Sequence, residues 1–250
     1  MEFSHLLTKN DKNLIYDAWL SKMLQVNVYE VLMSRELVQK NSNGWGDLLG
    51  QLSSHPLFLY SRIPTDDLTA IESLEKFNFN LIDTNVIYDK PIWVPPSLTG
   101  CYHLRFVNPE DRTQVVELAR QLFVYSRFHQ DPYIRKETAN HIKAEWANNY
   151  FKGERGDQMI IASDNQSIVG FLQLILEQDK TIKIDLVGVA EQYRGMGIAS
   201  DMIRYAEKQN QNFLRIITGT QIANIASIRL YEKMGFRAVA SKYIFHYHSP

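Results

Sequence analysis

A single cysteine, Cys101, stands among the 250 residues, so no internal disulfide forms and no multi-thiolate metal site can be assembled. In its apolar, strand-like surroundings it reads as a small core residue, and no metal is expected. No run of about 18 uninterrupted apolar residues occurs, which removes a membrane-spanning helix. The beginning, Met1-Glu2-Phe3-Ser4-His5, has neither a basic start nor an apolar stretch closing on small residues, so no signal peptide is expected. An excess of one charge is lacking as well. With 27 Lys and Arg against 28 Asp and Glu, and no basic block, neither nucleic acid nor a membrane is an expected partner. What remains is a chain expected in the cytoplasm, apolar enough at 45% to bury one large core or two smaller ones.

The clearest break along the chain is 90–100, where Pro91, Pro95, Pro96 and Gly100 favour irregular, extended backbone. It suggests an N-terminal α/β domain over 1–92, a linker over 93–100 and a second domain over 101–250. In the second domain, apolar spacing predicts strands at 102–107, 159–162, 168–176, 182–189, 213–217 and 238–247. Helices are predicted at 109–123, 136–150, 198–209 and 224–234, with a loop at 126–133. Upstream the pattern is similar but weaker: strands at 26–32, 57–62 and 80–88, helices at 45–52 and 66–77. Helices interspersed with a mostly central sheet make the fold class α/β or α+β.

The strongest local signal is Gln192-Tyr193-Arg194-Gly195-Met196-Gly197 after the apolar strand 182–189. Glycines let the backbone approach an anion without a Cβ in the way. The helix beginning at Ile198 aims its free N–H groups and positive dipole end at the same place, so the turn is a candidate pyrophosphate cradle. A purely structural strand-to-helix turn would use the same residues. No Gly-Lys-Ser/Thr follows, so it is not a Walker loop, and the third glycine of a dinucleotide fingerprint is missing.

Gln192-x-x-Gly195-x-Gly197 resembles the acetyl-CoA motif of the GNAT superfamily of N-acetyltransferases, and Asn224 through Tyr231-Glu-Lys-Met-Gly235-Phe236 is similar to that family's closing signature. The resemblance covers 102–247 and implies a GNAT-like mixed sheet flanked by helices, with acetyl-CoA as co-substrate. The backbone amides of Arg194, Gly195, Met196, Gly197, Ile198 and Ala199 would hold the CoA pyrophosphate. The strand at 186–189 would splay from that at 213–217, and pantetheine would pair with Val187 and Val189, the Val189 amide polarising the thioester carbonyl. Asn224 would bond the pantetheine arm, although a helix cap alone would also explain it. Tyr231 would protonate the departing thiolate. Its other reading is an aromatic packed between helix and sheet.

For the acceptor, Thr220-Gln221-x-x-Asn224 and Ser126-Arg127-Phe128 resemble the branch acting on nucleotide-linked 4-amino-4,6-dideoxy sugars, such as the dTDP-fucosamine N-acetyltransferases. Arg127 and His129 become candidate contacts for sugar hydroxyls or nucleotide phosphate; both also read as solvated loop residues. Asp185 and His129 are the candidate bases, a water chain being the alternative, and Asp185 also reads as a solvent-facing strand residue. Other amines (a protein N-terminus, a polyamine, an antibiotic) and an acyl-CoA sensor without turnover are the competing functions.

The N-terminal region carries an internal echo. Ile71-x-Ser-Leu74-Glu-Lys-Phe-Asn-Phe79 aligns with Ile228-x-Leu-Tyr231-Glu-Lys-Met-Gly-Phe236, placing Asp67 opposite Asn224 and Leu74 opposite Tyr231. Asn41-x-x-Gly44-Trp-Gly46 echoes the glycine turn. This suggests a degenerate GNAT-like half, silent in catalysis, serving the acceptor side or a homodimer contact; chance similarity of helix endings is the alternative.

Overall fold

The structure, a computed structural model, describes residues 13–33, 56–92, 97, 98, 100, 102–165 and 167–249. The helix expected at 45–52, the glycine echo at 41–46, Cys101 and most of the proline-rich linker lie outside the described residues. No described helix is long and apolar enough to cross a membrane. Packing divides the chain into two compact units, Met1–Thr84 with Lys242–Pro250, and Asn85–Ser241.

The first unit contains β1 (Leu14–Tyr16), α1 (Ala18–Leu24), β2 (Asn27–Val31), β3 (Leu57–Pro64) and α2 (Leu68–Lys76). The start of β4 (Asn80–Pro91) and the end of β10 (Arg237–His248) also belong to it. Its strand order is β1-β2-β3-β10, antiparallel except for the parallel pair β2–β3. β3 is buried along most of its length and reads as a near-continuous apolar run, as central strands do. Asp67 caps α2 by accepting the Ala70 amide at 3.1 Å. The helix stops where Asn78 turns left-handed (φ +59°), with the Phe79 amide bonded to the Leu74 carbonyl at 3.0 Å. Leu57, Leu59, Ile63, Leu74, Phe79 and Phe245 form its core.

In the second unit β5 (His103–Phe106) leads through a 3-10 turn to α3 (Arg112–Leu122), then α4 (Arg127–Gln130) and α5 (Lys136–Phe151). There follow β6 (Gln158–Asp164), β7 (Ser167–Leu176), β8 (Thr181–Val189), α6 (Ile198–Gln209), β9 (Arg215–Gln221) and α7 (Ile225–Lys233). The strand order is β4-β9-β8-β7-β6-β5, and only β8–β9 is parallel. Alternation along β6 sends Met159 and Ile161 to the α3–α5 face and Ile160 and Ala162 to the other, where α6 contributes Met202 and Ile203. The fold is thus the expected mixed sheet flanked by helices.

Three expectations change. The boundary at the proline stretch does not match the packing: residues 85–91 of β4 are laddered to β9, and 242–248 of β10 to β3, so the chain crosses between units inside two strands. The loop expected at 126–133 holds the short helix α4, and β1 and α1 were not anticipated, being too short to show a period. β9 begins at Arg215 and extends to Gln221 rather than spanning 213–217.

Candidate active site

β8 and β9 pair at Thr181↔Arg215, Ile182↔Ile216 and Lys183↔Ile217, and then part. On its other edge β8 stays laddered to β7 as far as Val189↔Gly170. The cause lies in β8 itself. Gln173 opposes Leu186 while Leu174 opposes Ile184, so Asp185 is an extra residue in a β-bulge. A bulge bends its strand and increases the local twist, here carrying 184–189 away from β9. The expected splay is present, but its far wall is 218–221; the residues of β9 up to Ile217 are the ones still paired. Ala190 donates its amide to Val169 at 2.8 Å, so strand alternation turns the peptide groups of Gly188 toward β7 and those of Val187 and Val189 toward the gap. The Val189 carbonyl accepts from Arg194 Nε at 3.2 Å, which leaves its amide as the group offered to the gap.

The chain leaves β8 through a 3-10 turn, Glu191–Tyr193, and enters the glycine turn. Gly195 (φ +79°) and Gly197 (φ +84°) both adopt left-handed backbone, a region costly for residues with a Cβ. Space around Gly195 is open, so backbone shape and not crowding demands glycine there. Gly197 is the N-cap of α6 and offers no side-chain cap, which leaves the first helical amides, Ile198 and Ala199 among them, for an anion. The Ile198 side chain is buried in the core, so only its backbone can serve. Gln192 and Met196 are exposed beside the turn, Met196 sulfur accepting from the Tyr102 hydroxyl at 3.1 Å. A cleft lined by Leu118, Gln121, Ser167, Glu191, Gln192 and Arg194 adjoins it.

Across the gap, α7 delivers the other two motif residues. Asn224 is its N-cap, Oδ1 accepting the Ser227 amide at 3.2 Å, so the capping role is real and uses only that oxygen. Tyr231, two turns on, is 2% exposed, its ring packed near Tyr88 and Phe236 with centroids 5.7 and 5.4 Å away. Its hydroxyl is hydrogen-bonded to Thr218, the first β9 residue past the last β8–β9 pair. Burial raises its pKa and outweighs the opposing Thr218 bond, so the phenol keeps its proton at neutral pH.

The proposed bases fare differently. Asp185 Oδ2 accepts from Trp146 Nε1 (2.8 Å), Arg155 Nε (2.7 Å) and Gln173 Nε2 (3.1 Å), while Oδ1 takes a second Arg155 bond, and its side chain is 3% exposed. A carboxylate so engaged anchors the bulge and the end of α5; it is not placed to take a proton from an amine, and it does not face solvent. His129 is also committed. Asn140 Oδ1 lies 2.9 Å from Nε2 and, as an acceptor only, requires the proton there; Nδ1 then accepts from the Ser126 hydroxyl at 2.6 Å. Burial lowers the His129 pKa, so the neutral ring persists. Both nitrogens are used inside the loop, which makes His129 a lock on 126–140 rather than a substrate ligand or base. Arg127 starts α4 with its guanidinium 4.6 Å from the Phe128 ring centroid.

One nearby cation was overlooked. Lys143 lies on the buried stripe of α5 with Ala139 and Ala147, four residues away on either side, a position where lysine is rare. Its ammonium sits 4.5 Å from the Trp146 ring centroid and 5.0 Å from that of Phe123. Burial pulls its pKa from 10.5 to about 8; Asp185 opposes the shift, and Arg127 and Arg155 add to it. Thr218 was overlooked too, because a threonine inside a strand carries no sequence mark.

Comparison with known proteins places the chain in a family. The family described as "Acetyltransferase (GNAT) family" matches residues 114–236. The chain is 31% identical over 240 residues to the "Spore coat polysaccharide biosynthesis protein SpsD" of Bacillus subtilis, covering 91% of this chain and 80% of the relative. Among solved structures, a functionally unknown conserved protein from Staphylococcus epidermidis superposes with a TM-score of 0.63 at 17% identity, over 88% of this chain and 83% of that one. A tandem GNAT protein from the clavulanic acid biosynthesis pathway superposes with a TM-score of 0.61 at 11% identity, over 89% and 76%. At such identities the structural matches speak for the fold alone.

Proposed function

The chain belongs to the GNAT family of acetyltransferases, and on that premise we propose that it acetylates the amino group of a nucleotide-linked amino sugar, with acetyl-CoA as donor. The observation that carries the donor side is the gap between β8 and β9, with the glycine turn at one end and the Tyr231–Thr218 pair where it opens. Pyrophosphate rests on the amides from Arg194 to Ala199, beside Gln192. Pantetheine runs along Val187 and Val189, and Asn224 contributes its Nδ2. The acceptor nitrogen attacks the thioester carbonyl, whose developing oxyanion meets the Val189 amide. A C–N bond forms, the C–S bond breaks, and Tyr231 gives its proton to the leaving thiolate. With Asp185 and His129 engaged elsewhere, the amine's surplus proton leaves through water, which suffices for an amino sugar already partly neutral near pH 7.

The acceptor class rests on the relative named for spore coat polysaccharide biosynthesis, since polysaccharides are assembled from activated sugars. A 4-amino-4,6-dideoxy sugar is the first choice from the motif resemblance. The experiment is release of free CoA thiol from acetyl-CoA, screened over nucleotide-linked amino sugars, polyamines, peptides and aminoglycosides. Turnover confined to the nucleotide sugars supports the reading. Binding of acetyl-CoA with no turnover of any amine would replace it with a sensor.

The N-terminal unit enters as a silent second copy. α2 and α7 are nine residues each, and β4 and β10 twelve, every counterpart 157 positions apart (Leu68 and Ile225, Asn80 and Arg237). Phe236 donates its amide to the Tyr231 carbonyl at 3.0 Å just as Phe79 does to Leu74, and Gly235 (φ +86°) takes the left-handed place of Asn78. One solved neighbour, described as a tandem GNAT protein, supports this reading.

A further inference from the structure

Lys143, at the middle of α5, is acted on by two positive charges and one negative. Lys143 comes from α5, Arg127 from α4 and Arg155 from the turn after α5; the carboxylate that acts on Lys143 is Asp185 on β8. Arg155 claims that carboxylate with two hydrogen bonds. The remaining titratable neighbour, His129 on α4, is held neutral by burial, which outweighs the bond to Asn140 that favours its charged form. Lys143 is left with aromatic faces, Trp146 and Phe123, and with no hydrogen-bond acceptor or carboxylate of its own among the described residues. The residue is 9% exposed, so it is not wholly sealed from solvent. Aromatic faces attract an ammonium but do not replace three hydrogen-bond acceptors, and a buried charge without a partner is unfavourable. A cation kept in such surroundings fits an anion that arrives with the ligand. The site flanks the bulge that opens the gap, because Trp146, which covers the ammonium, bonds Asp185 at the bulge itself.

We infer that Lys143 seats an anionic phosphate group of the acceptor, which makes it a specificity-determining residue; the inference rests on the nucleotide-linked acceptor proposed above. A phosphate oxygen approaching the ammonium supplies the missing acceptor and shifts Lys143 back toward its charged form, so binding takes up a proton when the free lysine is partly neutral. Affinity therefore falls as pH rises past about 8.

The test uses the full chain saturated with CoA, so that the pyrophosphate cradle is already occupied, and inorganic pyrophosphate as the probe. Calorimetry is expected to show binding that weakens from pH 7 to pH 9. Lys143→Met, which keeps the buried stem and removes the charge, should weaken it about tenfold or more and erase the pH dependence. Lys143→Gln serves where the Met variant melts below the wild type. Equal affinity and equal pH dependence in wild type and variant would overturn the inference. So would a loss of kcat with unchanged acceptor KM, which would make Lys143 a base. Pyrophosphate binding that depends on Lys143, together with no turnover of any nucleotide sugar, would sustain the anion seat while breaking the proposed substrate class.

Discussion

Among the described residues two pairs of strands run parallel, β2–β3 and β8–β9, and only one of them opens. β8 and β9 keep three paired positions and then separate behind a bulge at Asp185. β2 and β3 stay paired from Asn27↔Leu57 to Glu30↔Tyr60, nearly the full length of β2. At the next step the two pairs diverge in chemistry. Ser61, at the place that Thr218 holds in the second unit, donates its hydroxyl to the Val31 carbonyl at 2.7 Å and extends the clamp. Thr218 instead meets Tyr231, whose counterpart Leu74 has no hydroxyl to offer. Similar element orders thus produce a gap with a buried phenol beside it in one unit and a closed apolar core in the other.

Four measurements break or sharpen that contrast. Tyr231→Phe should lower kcat by about 10²-fold, with acetyl-CoA affinity nearly unchanged. The paired variant Leu74→Tyr should leave turnover alone and cost about 1–3 kcal/mol of stability from overpacking. Undiminished turnover in Tyr231→Phe would remove the acid from the second unit.

Next in size is the buried charge. Lys143 has a folded-state pKa of about 8 against 10.5 in the unfolded chain, so between those values the unfolded chain binds more protons. Wild-type stability therefore rises with pH across that window, and the full penalty applies below it. Lys143→Met should be more stable than wild type by about 1–3 kcal/mol at pH 7, the difference shrinking toward pH 10 in denaturant titrations.

Gly195→Val forces a β-branched residue into left-handed backbone and should weaken acetyl-CoA binding about tenfold, while calorimetry on the wild type should find one site per chain. A second site would mean that the N-terminal pair also opens.

The smallest effect is expected of Ser61→Ala. Losing the bond to the Val31 carbonyl should cost about 1 kcal/mol in thermal or chemical melts, with kcat unaltered.

The sequence was most legible where one local pattern decides the outcome. α6 is found at the residues that its four-residue steps predicted, and the positive φ of Gly195 and Gly197 follows from glycine spacing after a strand. The α2 and α7 endings were legible through the Leu74–Phe79 and Tyr231–Phe236 echo. Asp185 and His129 were misread because their roles are set by partners 11 to 39 residues away, Gln173, Arg155 and Trp146 for one, Asn140 for the other. Lys143 could have been seen as a charge on an apolar stripe, but its uncompensated state depends on who claims Asp185.

By itself, then, the sequence determined the family resemblance and, through it, the expected donor: period, glycine turn and closing signature are local features, read without reference to anything distant. Only the tertiary structure decided which carboxylates and rings are free to act. Strand pairing chooses where β8 leaves β9, and hydrogen bonds formed only on folding use up Asp185 and His129. The Lys143 ammonium rests on aromatic faces with no hydrogen-bond acceptor of its own among the described residues. Availability for chemistry is a property of the neighbours, and those are brought together only by folding.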